Sequence, residues 1–386
     1  MRCPQPAIAS RAASVERRTL TAMTTHASRQ PDFAHVRLSG PDALVSAVPY
    51  LLGFHPHQSV VVVWTSPSKS RIVLTMRSDL LAADVSDRPA MLETLVEMLF
   101  VPVPRLPADA VPFIMVFPDI APVGDATDGD ESLPESDLVA VLLRRLDDAG
   151  RRAGDVLCVE GDRWWSYLCS DADCCELCGT VIDPSVRLEV EAQFVVAGSA
   201  PLASRDELLA EVAAAPAAAV RRMRTLITGT GASVKATRGA PASLSKQLRA
   251  RCWTAMSGAV ADPAEVSLDD QALILAGLRD LWLRDAFISL AVRTGSQGLC
   301  ELLSRTVSLA PRHFVGPSAT TLGLLRYLSG DGARAWVALD RARAEDRDYS
   351  LATLVSTALA GGMPPAALRE VFGALDPDDL RLGRVA

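Results

Sequence analysis

The stretch Val60-Val-Val-Val-Trp64 leaves this chain few ways to fold. Successive β-branched residues are stiff at χ1 and favour extended backbone. No polar residue alternates among them, so the strand they form must be covered on both faces. What precedes the strand is equally readable. Ser39, Pro41 and Asp42 mark a helix start, with a hydroxyl cap, a proline in the first turn and an early acid. Leu44, Val45, Val48, Leu51 and Leu52 follow at helical spacing, and Gly53 and Pro56 end the helix. Residues 38 to 64 therefore read as a capped helix, a Gly-Phe-His-Pro-His turn and a doubly covered strand.

Further elements alternate in the same way. Arg71 to Leu80 reads as a second strand, joined to the first by the turn chemistry of Ser66-Pro-Ser-Lys-Ser70. Residues 89 to 100 read as a helix, with Pro89 in its first turn and Met91, Leu92, Leu95, Val96 and Leu99 as its apolar stripe. Val111 to Phe117 is a third strand, 121 to 134 a Pro-, Gly- and Asp-rich loop, Leu138 to Leu146 a helix, and Asp155 to Val159 a fourth strand. Strands alternating with helices predict a layered α/β domain.

The texture changes near Val186. From there on nearly every segment is rich in Ala and Leu, is punctuated by Gly or Pro, and lacks strand signals. The fold expected is an α/β N-terminal layered domain (31–185) followed by an all-α C-terminal helical array (186–386). Residues 1–30 are expected to be a disordered or mis-annotated extension, with Met23 as an alternative start. Within the array, 317–364 carries a small-large rhythm like that of a tetratricopeptide unit. A lone unit of that kind cannot bury its own face. On one helix of the array, Asp280 and Arg284 stand at i,i+4, and the default expectation there is a solvated or interhelical salt bridge.

Composition excludes some functions. At 386 residues the chain exceeds one ordinary core. A formal charge of -7 argues against a nucleic-acid surface, which needs clustered Lys and Arg. The basic stretches Arg221-Arg-Met-Arg224 and Lys246 to Arg251 read as solvated helix faces. No apolar run approaches the roughly 18 residues of a membrane helix, and no apolar segment of a signal peptide follows the early arginines. The expected compartment is the cytoplasm, where the 8 cysteines would be thiols or metal thiolates rather than disulfides.

The densest chemistry lies in Trp164-Trp-Ser-Tyr-Leu-Cys169-Ser-Asp-Ala-Asp-Cys174-Cys175-Glu-Leu-Cys178-Gly. Cys169, Cys174, Cys175 and Cys178 are candidate metal ligands, and a Cys-x-x-Cys pair would hold zinc. A redox pair and plain buried thiols are the competing readings. His55 and His57 lie in the turn before the first strand and are candidate ligand contacts. That strand is entered at its N-terminal end, however, whereas α/β sheets bind ligands at carboxyl ends. Asp79, Asp119 and Asp162 each follow a strand, so their carboxylates could converge on Mg²⁺ or serve as acid and base. Asp is equally a favoured turn residue there. If extended, Trp164 and Trp165 face opposite sides, one toward core and one toward a contact surface. Neither a Walker loop, a dinucleotide fingerprint nor a Gly-x-Ser-x-Gly elbow is present.

Several of these stretches carry a resemblance. Leu38-Ser-Gly-Pro-Asp-Ala-Leu, Ala47-Val-Pro-Tyr-Leu-Leu-Gly-Phe-His-Pro56 and Ser59-Val-Val-Val-Val resemble the opening of an actinobacterial family, domain of unknown function 4192. The likeness continues through Arg163 to Cys175, Val196 to Arg205, Gly330 to Leu339 and Tyr349 to Ala352, spanning roughly residues 36 to 370. It implies no activity, cofactor or catalytic residue. In the family's pattern Pro follows the Cys-Cys pair, whereas Glu176-Leu-Cys178 follows here. Cys178 is therefore particular to this chain, and Cys169, Cys174 and Cys175 are the better candidates for a shared role. With no catalytic signature, the expected function is that of a cytosolic interaction or regulatory protein holding a protein partner through its helical half. The alternative is a small-ligand or nucleotide-binding enzyme with its site at the edge of the α/β sheet.

Overall fold

A computed structural model describes residues 20–22, 36–82, 84–119, 133–169, 179–232, 244–295 and 297–384. These form two compact units, divided after Ser204.

In the first unit β1 (Leu20–Ala22) and β2 (Val36–Leu38) form a short antiparallel ladder with Leu20 opposite Leu38. Helix α1 (Gly40–Leu52) follows, with Ser39 at its N-cap and Gly53 in the left-handed conformation (φ 80°) at its C-cap. The Ser39 hydroxyl, expected to cap the helix, makes no capping hydrogen bond. The chain then runs through β3 (Ser59–Ser66), β4 (Arg71–Asp79), α2 (Arg88–Phe100), β5 (Val111–Phe117), α3 (Ser136–Asp148), β6 (Asp155–Glu160), β7 (Arg163–Ser166), β8 (Thr180–Val181) and α4 (Pro184–Val196).

Strands β3 to β8 make one mixed sheet in the order β4-β3-β5-β6-β7-β8, in which β5 and β6 are parallel and the other neighbours antiparallel. Every residue of β3 is buried, as its valine run requires. On one face Val60, Val62, Trp64, Ile114, Val116 and Val156 pack under α2 and α3. The opposite face holds Val61, Val63 and Met115, which are also buried. Paired residues share a face, so Trp164, opposite Val159, stands on this second side. There its indole donates to Asp42 of α1 at 2.7 Å, and the same carboxylate accepts from the Asp183 amide at 3.0 Å. Helix α4 packs on α1, with Tyr50 stacked on Phe194 at 4.7 Å between ring centroids. The residues from Val186 to Val196, grouped by composition with the helical half, thus pack in the first unit.

The second unit is all helical: α5 (Arg205–Val212), α6 (Ala217–Gly229), α7 (Lys246–Ala261), α8 (Leu268–Gly277), α9 (Leu281–Thr294), α10 (Gln297–Leu309), α11 (Arg312–Leu328), α12 (Gly332–Glu345), α13 (Ser350–Ala360), α14 (Pro365–Ala374) and α15 (Pro377–Leu382). Helix α11 is buried on all sides from Phe314 to Leu325, which makes it the centre of the unit. It touches α8, α9, α10, α12, α13 and α14. That is a wider set of neighbours than a stacked repeat has, although 317–364 carries the tetratricopeptide rhythm.

The approach of α11 to α12 depends on Gly323, where a Cβ would stand 2.9 Å from Leu339 Cγ and 3.1 Å from the Ala335 carbonyl oxygen. The backbone oxygen cannot rotate away. Overpacking of this kind costs about 1–3 kcal/mol, against a helix-propensity gain of about 1 kcal/mol. Gly323→Ala is therefore expected to lose stability in a denaturant titration, and an unchanged or raised midpoint would show that the two helices can separate at little cost.

Asp280 and Arg284 do not pair with each other; the salt bridge of Asp280 is the interhelical one, to Arg249 of α7. Asp280 occupies the N-cap of α9, so its carboxylate turns back to the Trp282 and Leu283 amides and to Arg249. Arg284 instead binds Asp285 at 2.7 Å and the Tyr349 hydroxyl at 2.7 Å.

Candidate functional site

The mixed topology reverses one expectation. Strand β3 runs antiparallel to β4 and β5, with Ser59 opposite both Asp79 and Phe117. Its N-terminal end therefore lies at the carboxyl edge of β4, β5 and β6. The turn of residues 53 to 58, Asp79, Asp119 and the β6–β7 turn of Glu160 to Asp162 all reach that edge.

The turn is held in place by backbone hydrogen bonds. The Leu202 amide donates to Gly53 O at 2.8 Å and the His55 amide to Leu202 O at 3.0 Å, clamping the turn from a distant part of the unit. Gln58 adopts a left-handed backbone (φ 41°), and its carbonyl accepts from the Leu80 amide at 2.9 Å. In this conformation two side chains of the turn meet one carboxylate. His57 Nε2 lies 2.9 Å from Asp119 Oδ1, and Gln58 Nε2 donates to Asp119 Oδ2 at 3.0 Å. On the β4 side Arg77 donates to the His57 carbonyl at 3.3 Å and pairs with Asp79 at 2.6 Å.

Between the turn and the ends of β5 and β6 lies an open cleft of about 330 Å³, lined by Pro56, His57, Phe117, Pro118, Asp119, Val159, Glu160 and Gly161. It joins an apolar wall to an imidazole and two carboxylates.

Of the residues singled out by sequence, His57 and Asp119 meet here. His55 contributes its backbone to the clamp, and Asp79 is taken by Arg77. Asp162 is exposed in the β6–β7 turn, where its carbonyl accepts from the Ile182 amide at 2.8 Å. The expected convergence of Asp79, Asp119 and Asp162 on a metal does not occur. Among the described residues no three His, Cys, Asp or Glu side chains gather as metal ligands. Adjacent strands stand about 4.8 Å apart, so β4 and β5, separated by β3, are roughly 10 Å apart. Glu160 and Phe117 line the cleft, Gln58 holds its Asp119, and none of the three carries a motif. What places them is pairing register, which a single chain does not display.

Trp164 is engaged with Asp42. Trp165 is buried beneath Gly179, whose added Cβ would stand 2.4 Å from the indole Cε2. Both tryptophans thus serve packing. Of the cysteine cluster, Cys169 is half-buried after β7, while Cys174, Cys175 and Cys178 lie outside the described residues. Elsewhere burial pushes the Cys158 thiol up to about 11 and the Cys252 thiol to about 12. Neither is a thiolate nucleophile at neutral pH.

Among the described residues no helix is long and apolar enough to cross a membrane. The chain belongs to the family described as Domain of unknown function (DUF4192), whose model matches residues 41–366. No curated protein and no solved structure matches it.

Proposed function

We propose that this DUF4192 member binds a small polar molecule in the sheet-edge cleft, with His57 and Asp119 as its polar contacts. The observation that carries this is the Gln58 turn. A non-glycine residue in the left-handed region costs roughly 1–2 kcal/mol. The side-chain pair that the turn sets up, His57 with Asp119, is 69% and 57% exposed, and such pairs contribute only about 0–1 kcal/mol. The turn, held by its own hydrogen bonds, spends this strain on presenting an imidazole and a carboxylate to an open cleft, which is what a ligand site requires.

A thermal-unfolding panel of nucleotides, sugars, amines and acids tests the reading. A ligand at a hundredfold excess over its Kd adds about 2.7 kcal/mol of stability. The stabilisation should vanish in Asp119→Asn and His57→Ala. Silence across the panel, or a shift that both variants retain, would remove the cleft as the site. A cytoplasmic setting fits this reading, since Cys158 and Cys252 are buried thiols outside any disulfide. Zinc on Cys169, Cys174, Cys175 and Cys178 is a separate proposal. It requires stoichiometric zinc by elemental mass spectrometry, and zinc unchanged in Cys174→Ser would exclude it.

A second reading, a protein partner held by the helical half, is favoured by an apolar groove of about 320 Å³ in the second unit. Ala218, Ala219, Met223, Leu226, Leu268 and Leu309 line it, with Arg222. If that reading holds, the full chain captures a specific protein and Leu226→Asp releases it. Equal capture by both forms would rule the groove out.

A further inference from the structure

We infer that the ligand of the sheet-edge cleft is an organic cation, a small ammonium or guanidinium compound with a hydrocarbon part. This rests on the cleft being a ligand site and goes further by assigning the ligand's charge. Two carboxylates, Asp119 and Glu160, line the cleft. Asp119 is held by His57 and Gln58. Glu160 is half-buried at the end of β6, and among the described residues no cation pairs with it. A partly desolvated carboxylate gains most from a charged donor.

Among the described residues the one basic group lining the cleft is His57, whose ring is already committed to Asp119. Arg77, the nearest guanidinium to the turn, is occupied by the His57 carbonyl and Asp79. A phosphate or carboxylate would therefore meet like charge, which disfavours nucleotides. A bare metal ion is disfavoured too, because the described side chains do not gather three ligands. The rest of the lining is apolar: Phe117, Val159, Pro56 and Pro118. Apolar lining beside carboxylates suits an ammonium group carrying a hydrocarbon chain. A cleft of about 330 Å³ is at the small end of ligand sites, with room for a compound of roughly ten heavy atoms.

Three probes of matched shape separate the ligand classes: 2-phenylethylammonium, 2-phenylethanol and 3-phenylpropanoate. Each is titrated into the full-length protein while the His57 ring resonances are followed by NMR. The ammonium compound should bind about tenfold more tightly than the alcohol, as a charge-assisted hydrogen bond exceeds a neutral one, and the carboxylate should be the weakest. In Glu160→Gln, with its circular dichroism unchanged, the ammonium preference should fall severalfold, and Glu160→Asp should restore part of it. Equal affinity for ammonium and alcohol, or tighter binding of the carboxylate, overturns the assignment of charge while the cleft stands. No perturbation of His57 by any of the three, or by any compound that stabilises the protein, overturns the cleft reading as well.

Discussion

Asp280→Ala is expected to destabilise the protein by about 2.5–4 kcal/mol, from a lost helix cap of about 1 kcal/mol and a lost charge-assisted hydrogen bond of about 1.5–3 kcal/mol. Asp280 is only 4% exposed. Its Oδ1 accepts from the Trp282 and Leu283 amides at 3.1 and 3.2 Å, closing the first turn of α9, and its Oδ2 binds Arg249. Arg249 also donates to the Arg381 carbonyl at 2.8 Å, so one carboxylate joins the starts of α7 and α9 to the end of α15. Alanine leaves two helix amides and a guanidinium without their acceptor. Asparagine retains an oxygen for the cap and removes only the charge, so Asp280→Asn should fall between wild type and alanine. Urea denaturation measures both variants. An alanine variant within about 1 kcal/mol of wild type, as an exposed cap alone would give, would show that the Arg249 pair contributes nothing.

Gly179→Ala should cost about 2–5 kcal/mol for two separable reasons. The backbone there is left-handed, at φ +74°, which strains any L side chain by about 1–2 kcal/mol. The new methyl would also stand 2.4 and 2.6 Å from the Trp165 indole carbons. That ring is buried, so relief requires shifting the β7 edge at a further cost of about 1–3 kcal/mol. Gly161 provides the control. It has φ +61° but open space around it, so Gly161→Ala carries the backbone strain without the clash. Thermal unfolding and near-ultraviolet circular dichroism, which reports on the tryptophan environment, should both separate the variants. Equal losses at 179 and 161 would mean that the indole moves aside freely.

Local signals were readable where one residue's chemistry decides the outcome. The valine run of β3 demanded burial on both faces and has it. Pro41 and Gly53 bracket α1, and Pro89 lies in the first turn of α2. Readings that depended on pairing fared differently. By sequence the His turn stands at the wrong end of its strand, because nothing local distinguishes a parallel neighbour from an antiparallel one. Once β3 pairs antiparallel to β5, His57 and Asp119 meet across a sequence gap that no spacing rule spans. The i,i+4 rule put Asp280 with Arg284, but a carboxylate at an N-cap is drawn to backbone amides first. Compositional texture grouped α4 with the helical half, whereas stacking of Tyr50 on Phe194 ties it to α1. Glu160 and Gln58 acquire meaning only from the edge on which they stand.

Native mass spectrometry shows most directly whether the cleft beside His57 and Asp119 holds a small molecule. The protein would be equilibrated with a small-molecule extract of cells and sprayed under non-denaturing conditions, beside Asp119→Asn and a control in the second unit, Glu301→Gln. A ligand site predicts a non-covalent adduct of one mass on wild type and on the control, absent from Asp119→Asn. No adduct on any of the three, or the same adduct on all of them, would contradict it.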